Sequence, residues 1–171
     1  MSSHPLSRLR FNFGFLLESP IGTSREMELD YPSIIISEDV TLSPLQGKFN
    51  ATRISEGVFI NGRLNSTVAT TCMRCLDDIT SPISFELDEL FYYPAETTPE
   101  GSYAWSDTGF IDLSPLVREL SLLEIPIKPV CREDCQGLCM VCGQNLNEAG
   151  CGCEEDNIDP RLAKLKSLLE D

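Results

Sequence analysis

Eight cysteines fall into close-set groups, and their spacing constrains this chain more than any other feature in it. Cys72 and Cys75 stand alone in "CMRC". The other six lie between Cys131 and Cys153 in "CREDCQGLCMVCGQNLNEAGCGC". Pairs as close as those in "CMRC", "CMVC" and "CGC" cannot form relaxed disulfides. Cys-x-x-Cys turns are instead the habitual halves of tetrahedral thiolate sites for zinc. A chain of 171 residues needs no disulfide staples to hold a core. Its N-terminus also argues against a secretory signal: Arg8 and Arg10 precede a mildly apolar patch interrupted by Asn12 and Gly14 and followed by Glu18, with no small-residue cleavage site. No apolar run approaches the ~18 residues of a membrane span. The expectation is a cytoplasmic protein whose thiols stay reduced.

Eight thiols divide into two sets of four. Cys139-x-x-Cys142 is followed by Gly143, which permits a tight turn, and Cys151-Gly-Cys153 can close the same site from a second loop. Cys131 and Cys135 then need two partners, and Cys72 with Cys75 supply them. The preferred partition is Cys72, Cys75, Cys131 and Cys135 around one Zn²⁺, and Cys139, Cys142, Cys151 and Cys153 around another. The competing partition places Cys131, Cys135, Cys139 and Cys142 on one ion; it crowds the chain. Iron in a rubredoxin-like cage is the alternative metal. Both sites read as structural, since catalytic zinc sites keep an open position and mix in histidine or carboxylate. The only histidine is His4. A thioredoxin-type pair needs a helix after the second cysteine, yet "LDDITSPISF" after Cys75 reads as a strand.

The expected fold class is α+β: a mostly antiparallel β-sheet with two short helices and cysteine-rich zinc-binding knuckles. Three segments are expected. Residues 1–33 give only weak strand-like alternation in "REMELDYP". Residues 34–130 form a β-rich core with the Cys-x-x-Cys hairpin, an acidic loop and a helix. Residues 131–171 carry the cysteine-rich segment and a C-terminal helix. Within the core, Ser55-Glu56-Gly57 marks a hairpin turn. Val58, Ile60, Leu64 and Val68 then share one strand face, as do Ile83, Phe85 and Leu87. Gly62 interrupts the first row, which predicts a bulge or a close backbone approach. Residues 94–109 read as a solvent loop, with Trp105 covering the core edge or, as the less favoured reading, contacting a partner. Ser114 as N-cap and Pro115 at the first helical position open a helix. Its apolar face holds Leu116, Val117, Leu120 and Leu123, and Pro126 stops it. Asp159 and Pro160 open the second, with Leu162, Leu165, Leu168 and Leu169 as its stripe.

The stretches "CMRCLDDITSPISFELDELFYY", "IDLSPLVRELSLLEIPIKPVC", "CQGLCMVCGQNLN" and "IDPRLAKLKSLL" resemble the YceD family of large ribosomal RNA subunit accumulation proteins, over roughly residues 40–169. The resemblance implies a role in ribosome biogenesis, supporting processing or accumulation of large-subunit ribosomal RNA. It supplies no catalytic residue, so the chain is read as a non-catalytic factor.

Charge decides the kind of partner. Twenty-seven acids against thirteen bases leave a formal charge of -14, and eight thiolates around two divalent ions would deepen it by about four. Broad RNA binding rests on Lys and Arg neutralising phosphates, so direct RNA contact is limited. The one candidate basic patch is Arg53, Arg63, Arg74, Lys128 and Arg132. The expected partner is a basic large-subunit ribosomal protein or a particle assembling around one. The rival class is an enzyme, either an RNA-processing factor with Mg²⁺ at Asp77-Asp78 or Glu154-Glu155-Asp156, or a thiol-disulfide oxidoreductase. Adjacent loop carboxylates lack the fixed geometry such a site needs.

Overall fold

The computed structural model describes residues 9–153. His4, the acid run Glu154-Glu155-Asp156 and the helix expected from Asp159 lie outside the described residues. The chain divides into two compact units: one runs up to Thr70 and resumes over Thr80–Ile127, the other comprises Thr71–Ile79 and the chain from Lys128.

The first unit is built on a five-stranded sheet ordered β2-β5-β6-β7-β8. Its strands are β2 (Ser24–Tyr31), β5 (Leu45–Ile54), β6 (Gly57–Thr71), β7 (Asp78–Tyr92) and β8 (Tyr103–Ala104). β2 and β5 pair antiparallel along the whole of "SREMELDY", so the weak alternation there is a full strand. β5 and β6 are antiparallel and joined by a two-residue turn, with Ile54 opposite Gly57. β7 and β8 are parallel, so the sheet is mixed at one edge. Two small sheets complete the unit: β1 (Arg10–Asn12) with β9 (Phe110–Asp112), and β3 (Ile34–Ser37) with β4 (Val40–Leu42).

Period-two alternation in β6 and β7 positions the core. Val58, Ile60, Leu64 and Val68 are buried from one strand, and Ile83, Phe85 and Leu87 from the other. Each such side chain contributes about 1.5–3 kcal/mol on leaving water. Gly62 sits opposite Phe49 with no break in register. A Cβ there would lie 2.3 Å from the Lys48 carbonyl oxygen, so the position serves a close backbone approach and no bulge.

The helix α1 spans Ser114–Glu124. Its cap lies one residue earlier than the sequence suggested. Leu113 accepts from the Val117 N–H at 2.9 Å, and the Asp112 carboxylate accepts from the Ser114 N–H at 2.9 Å. Ser114 is therefore helical, Leu113 is the N-cap residue, and the Asp112 carboxylate just before it receives the first helical N–H. Leu116 and Val117 are buried and Leu120 packs partly against the core, but Leu123 is 79% exposed. Ser121 takes the inward place expected for Leu123, its hydroxyl donating to the Arg118 carbonyl at 3.0 Å. Ile125, which precedes Pro126, is already extended, as the steric demand of a following proline requires.

Residues 94–109 are more ordered than a plain solvent loop. They contain a 3-10 turn at Ala95–Thr97 and the strand β8. Trp105 is fully buried, with Tyr93 beside it at 5.5 Å between ring centroids. Its backbone N–H donates to the Tyr92 carbonyl at 2.8 Å. The acidic stretch is thus anchored to the core through its one tryptophan.

Candidate metal centres

β6 ends at Thr71 and β7 begins at Asp78, so "CMRCLD" is the turn between two strands. The Arg74 N–H donates to Cys72 Sγ at 3.4 Å. Leu76 N–H donates to the Cys72 carbonyl at 3.0 Å, and Cys72 N–H to the Asp77 carbonyl at 2.8 Å. The second turn, "CMVCGQ", repeats this pattern bond for bond. Val141 N–H donates to Cys139 Sγ at 3.4 Å, Gly143 N–H to the Cys139 carbonyl at 2.9 Å, and Cys139 N–H to the Gln144 carbonyl at 2.8 Å. The two segments are the same knuckle made twice.

Each knuckle needs left-handed backbone just after its second cysteine. Gly143 has φ 74° and Leu76 has φ 61°. Glycine adopts that conformation freely, whereas an L side chain there costs on the order of 1 kcal/mol. Leu76 is largely exposed, so shortening it removes little packing. Leu76→Gly is therefore expected to tighten metal binding a few-fold, and Leu76→Val to weaken it about ten-fold. Competition with a chromophoric chelator measures both; a valine variant that binds as tightly as the glycine variant would remove strain from the account.

The thiols converge in two sets. The sulfurs of Cys72, Cys75, Cys131 and Cys135 lie within 4.8 Å of one another, as do those of Cys139, Cys142, Cys151 and Cys153. These are the two groups of the preferred partition. In the first set, Cys75 and Cys131 sulfurs are 3.7 Å apart and those of Cys72 and Cys135 are 3.9 Å apart. A disulfide needs about 2.0 Å. Four sulfurs each ~2.3 Å from one zinc ion stand about 3.8 Å from one another. The spacing thus fits a tetrahedral ion, and each set can hold one. Cys72, Cys75 and Cys135 are buried while Cys131 is exposed. In the second set Cys142 is exposed and the other three are half-buried.

Backbone N–H groups favour the thiolate of the first cysteine in each knuckle. Cys72 is held down to about 6, chiefly by the N–H of Cys75 and then by those of Arg74 and Cys131, against the effect of burial. Cys139 is likewise held down to about 6, by the N–H groups of Cys142 and Val141. Cys75 is pushed the other way, because its thiol donates to the Asp77 carboxylate at 3.0 Å. Cys153 is pushed up to about 12 by the neighbouring Cys142 sulfur. A metal entering either set would displace the remaining protons.

Residues 60–169 match the family described as large ribosomal RNA subunit accumulation protein YceD. The chain belongs to the YceD family. An uncharacterized protein of Mycobacterium tuberculosis is 38% identical over 120 residues, covering 68% of this chain and 58% of that protein. The chain therefore spans less than two thirds of that relative's length. A Bacillus subtilis protein, YlbN, is 27% identical over 146 residues, 84% of this chain and 85% of its own. The Arabidopsis thaliana protein named large ribosomal RNA subunit accumulation protein YCED homolog 1, chloroplastic, is 40% identical over 60 residues, 35% of this chain and 19% of its own. No solved structure matches the chain.

In this member of the YceD family, four of the five candidate bases are held by partners of their own. Arg53 donates to the Gly57 carbonyl at 3.0 Å and lies over Trp105. Arg63 pairs with Glu86. Arg74 donates to the carbonyls of Glu133 and Cys135, each at 3.0 Å. Arg132 meets Asp134 at 3.3 Å and the Asn147 side-chain oxygen at 2.9 Å. Asp77 and Asp78 are exposed, and strand β7 follows Cys75 where a thioredoxin-type pair would need a helix. No helix among the described residues is long and apolar enough to cross a membrane.

Sequence reasoning missed Asn145 and Asn147. Asn147 Nδ2 donates to Cys135 Sγ at 3.4 Å and to Asn145 Oδ1 at 2.8 Å. Its Oδ1 accepts from the Gln136 N–H at 2.9 Å. The available signal was "NLN" following the second knuckle, two amides spaced to fold a turn back on itself.

Proposed function

We propose that this chain is a non-catalytic factor supporting accumulation of large-subunit ribosomal RNA in the cytoplasm, stiffened by two structural Zn²⁺ ions. The observation that carries this reading is the family match over residues 60–169, together with the role that the plant relatives from Arabidopsis and Zea mays are named for. The eight cysteines at Cys72, Cys75, Cys131, Cys135, Cys139, Cys142, Cys151 and Cys153 would hold the metals. Zinc favours all-thiolate tetrahedra, and a colourless metal-loaded protein separates it from iron.

Contact is proposed with a basic ribosomal protein or an assembling large subunit. Two features support this. The chain is acidic, at -14, so a cationic partner is attracted and naked RNA is repelled. The knuckle tips also present exposed apolar side chains, Met73 and Leu76 on one and Met140 and Val141 on the other. Methionine on an acidic surface suits the apolar anchors of a Lys- and Arg-rich segment.

A tagged-protein pull-down at low and moderate salt tests the reading. Large-subunit ribosomal proteins that stay bound after ribonuclease treatment and leave as salt rises are the expected result. Precursor ribosomal RNA as the sole partner would replace it with direct RNA binding. RNA cleavage dependent on added Mg²⁺ would replace it with a processing enzyme.

A further inference from the structure

The loop that links the two halves of the second cysteine set also reaches the first. Residues 143–150 join Cys142 to Cys151, and Asn147 lies within them. Its side chain touches three parts of the first set's ligand loop: Cys135 Sγ, the Gln136 N–H and the Arg132 guanidinium. The amide is held one way round. Its oxygen faces two donors, from Gln136 and Arg132, while its nitrogen faces two acceptors, Asn145 Oδ1 and Cys135 Sγ. Turning it over would set oxygen against sulfur and leave both donors unmet.

The loop itself is fastened at both ends of the network. Leu146 N–H donates to the Gly137 carbonyl at 2.9 Å, and Asn147 N–H to Asn145 Oδ1 at 3.0 Å. Asn145 also bridges to Leu138, just before Cys139. An ion joining Cys139 and Cys142 to Cys151 and Cys153 would pin this loop from outside. The amide would then be delivered ready-oriented to Cys135.

We propose that Asn147 is a positioning residue that couples the two cysteine sets, so that filling the Cys139/Cys142/Cys151/Cys153 set tightens metal binding at the Cys72/Cys75/Cys131/Cys135 set. The proposal rests on the metal-binding reading given above. A hydrogen bond to a ligand sulfur offsets part of its charge and fixes its direction, and partners of this kind change metal affinity about 10–100-fold. Coupling of binding free energies is reciprocal, so emptying the first set weakens the second by the same factor.

The test uses the full chain loaded with ¹¹³Cd²⁺, in which each set gives its own NMR resonance, titrated with a chelator. Asn147→Ala is expected to lower affinity at the first set about 10–100-fold. Asn147→Asp keeps the shape, loses the donor and should do at least as much, so a poorly folded alanine variant leaves the test intact. Cys151→Ser, which disables the second set, should lower first-set affinity by a similar factor. Adding Asn147→Ala to Cys151→Ser should then change little more. With Co²⁺ bound instead, loss of the N–H to sulfur bond should move the first set's thiolate-to-metal charge-transfer band to longer wavelength, a signature that general loosening would not give. Two resonances with first-set affinity unchanged in the variants would overturn the coupling alone, as would fully additive losses. A chain that binds neither Cd²⁺ nor Zn²⁺ would overturn the metal reading and the coupling with it.

Discussion

Complete removal of metal is expected to unfold residues 71–79 and 128–153 while the five-stranded sheet stays folded. Among the described residues, the second unit has almost no apolar core of its own. Its buried cluster consists of Cys72, Cys75 and Cys135, with Ile79, Val130 and Leu138 packed partly against them. Those few side chains cannot offset the ordering of that much backbone, which costs about 1–2 kcal/mol per residue. A structural zinc ion contributes on the order of 10 kcal/mol or more in small thiolate domains. The first unit, by contrast, has a continuous apolar core from Leu9 to Val117. Hydrogen exchange read by mass spectrometry before and after chelation checks this. Protection should vanish from the cysteine-bearing peptides and persist in β5 and in the middle of β7. Cys-rich peptides that stay protected after all metal has left would mean that the thiols, and no ion, hold the unit. Cys72→Ser gives the finer result, since at saturating zinc it should lower the bound metal from two ions to one.

Trp105→Ala is expected to cost the first unit about 3–5 kcal/mol, the range for emptying a large aromatic site. Thermal or denaturant unfolding measures it. The indole is fully buried, against Tyr93 and beneath the Arg53 guanidinium at 5.7 Å. Trp105→Phe should cost far less, about 1 kcal/mol. The indole Nε1 is buried without a hydrogen-bond partner among the described residues, so phenylalanine removes a donor whose burial is itself unfavourable. This is the only tryptophan in the chain, and its fluorescence in the unaltered protein reports the same transition. An alanine variant within about 1 kcal/mol of the parent would show that residues 94–109 cover the core only loosely.

The features that could be read from the sequence are those whose physics is local or set by chain spacing. β6 and β7 are long enough for period-two burial to show in Val58, Ile60, Leu64 and Val68, and in Ile83, Phe85 and Leu87. The cysteine grouping was legible because short spacings leave few ways to bring four sulfurs together. β1 and β9 were not legible. Each has three residues, too few to carry a period, and Phe11 finds its partner at Ile111. The helix shows the same limit. Its heptad-like spacing includes Leu123, but whether that residue meets anything depends on what lies opposite, and Ser121 packs there instead. Asn147 is the clearest case, since its neighbours Arg132, Gln136 and Cys135 become neighbours only once the turn through Asn145 has formed.

The spacing of the first set has a consequence for synthesis. Cys75 and Cys131 are separated by 56 positions, and β7, β8, β9 and α1 are all encoded between them. At translation speeds of about 5–20 residues per second, the first thiol pair emerges roughly three to eleven seconds before its partners exist. During that interval the newborn chain carries two reduced sulfurs with half a coordination sphere. The second set spans only Cys139 to Cys153 and follows directly, with no comparable wait. Closure of the first set is therefore a late event in the birth of the molecule, reached only by chains that have already been translated through the whole sheet and its helix.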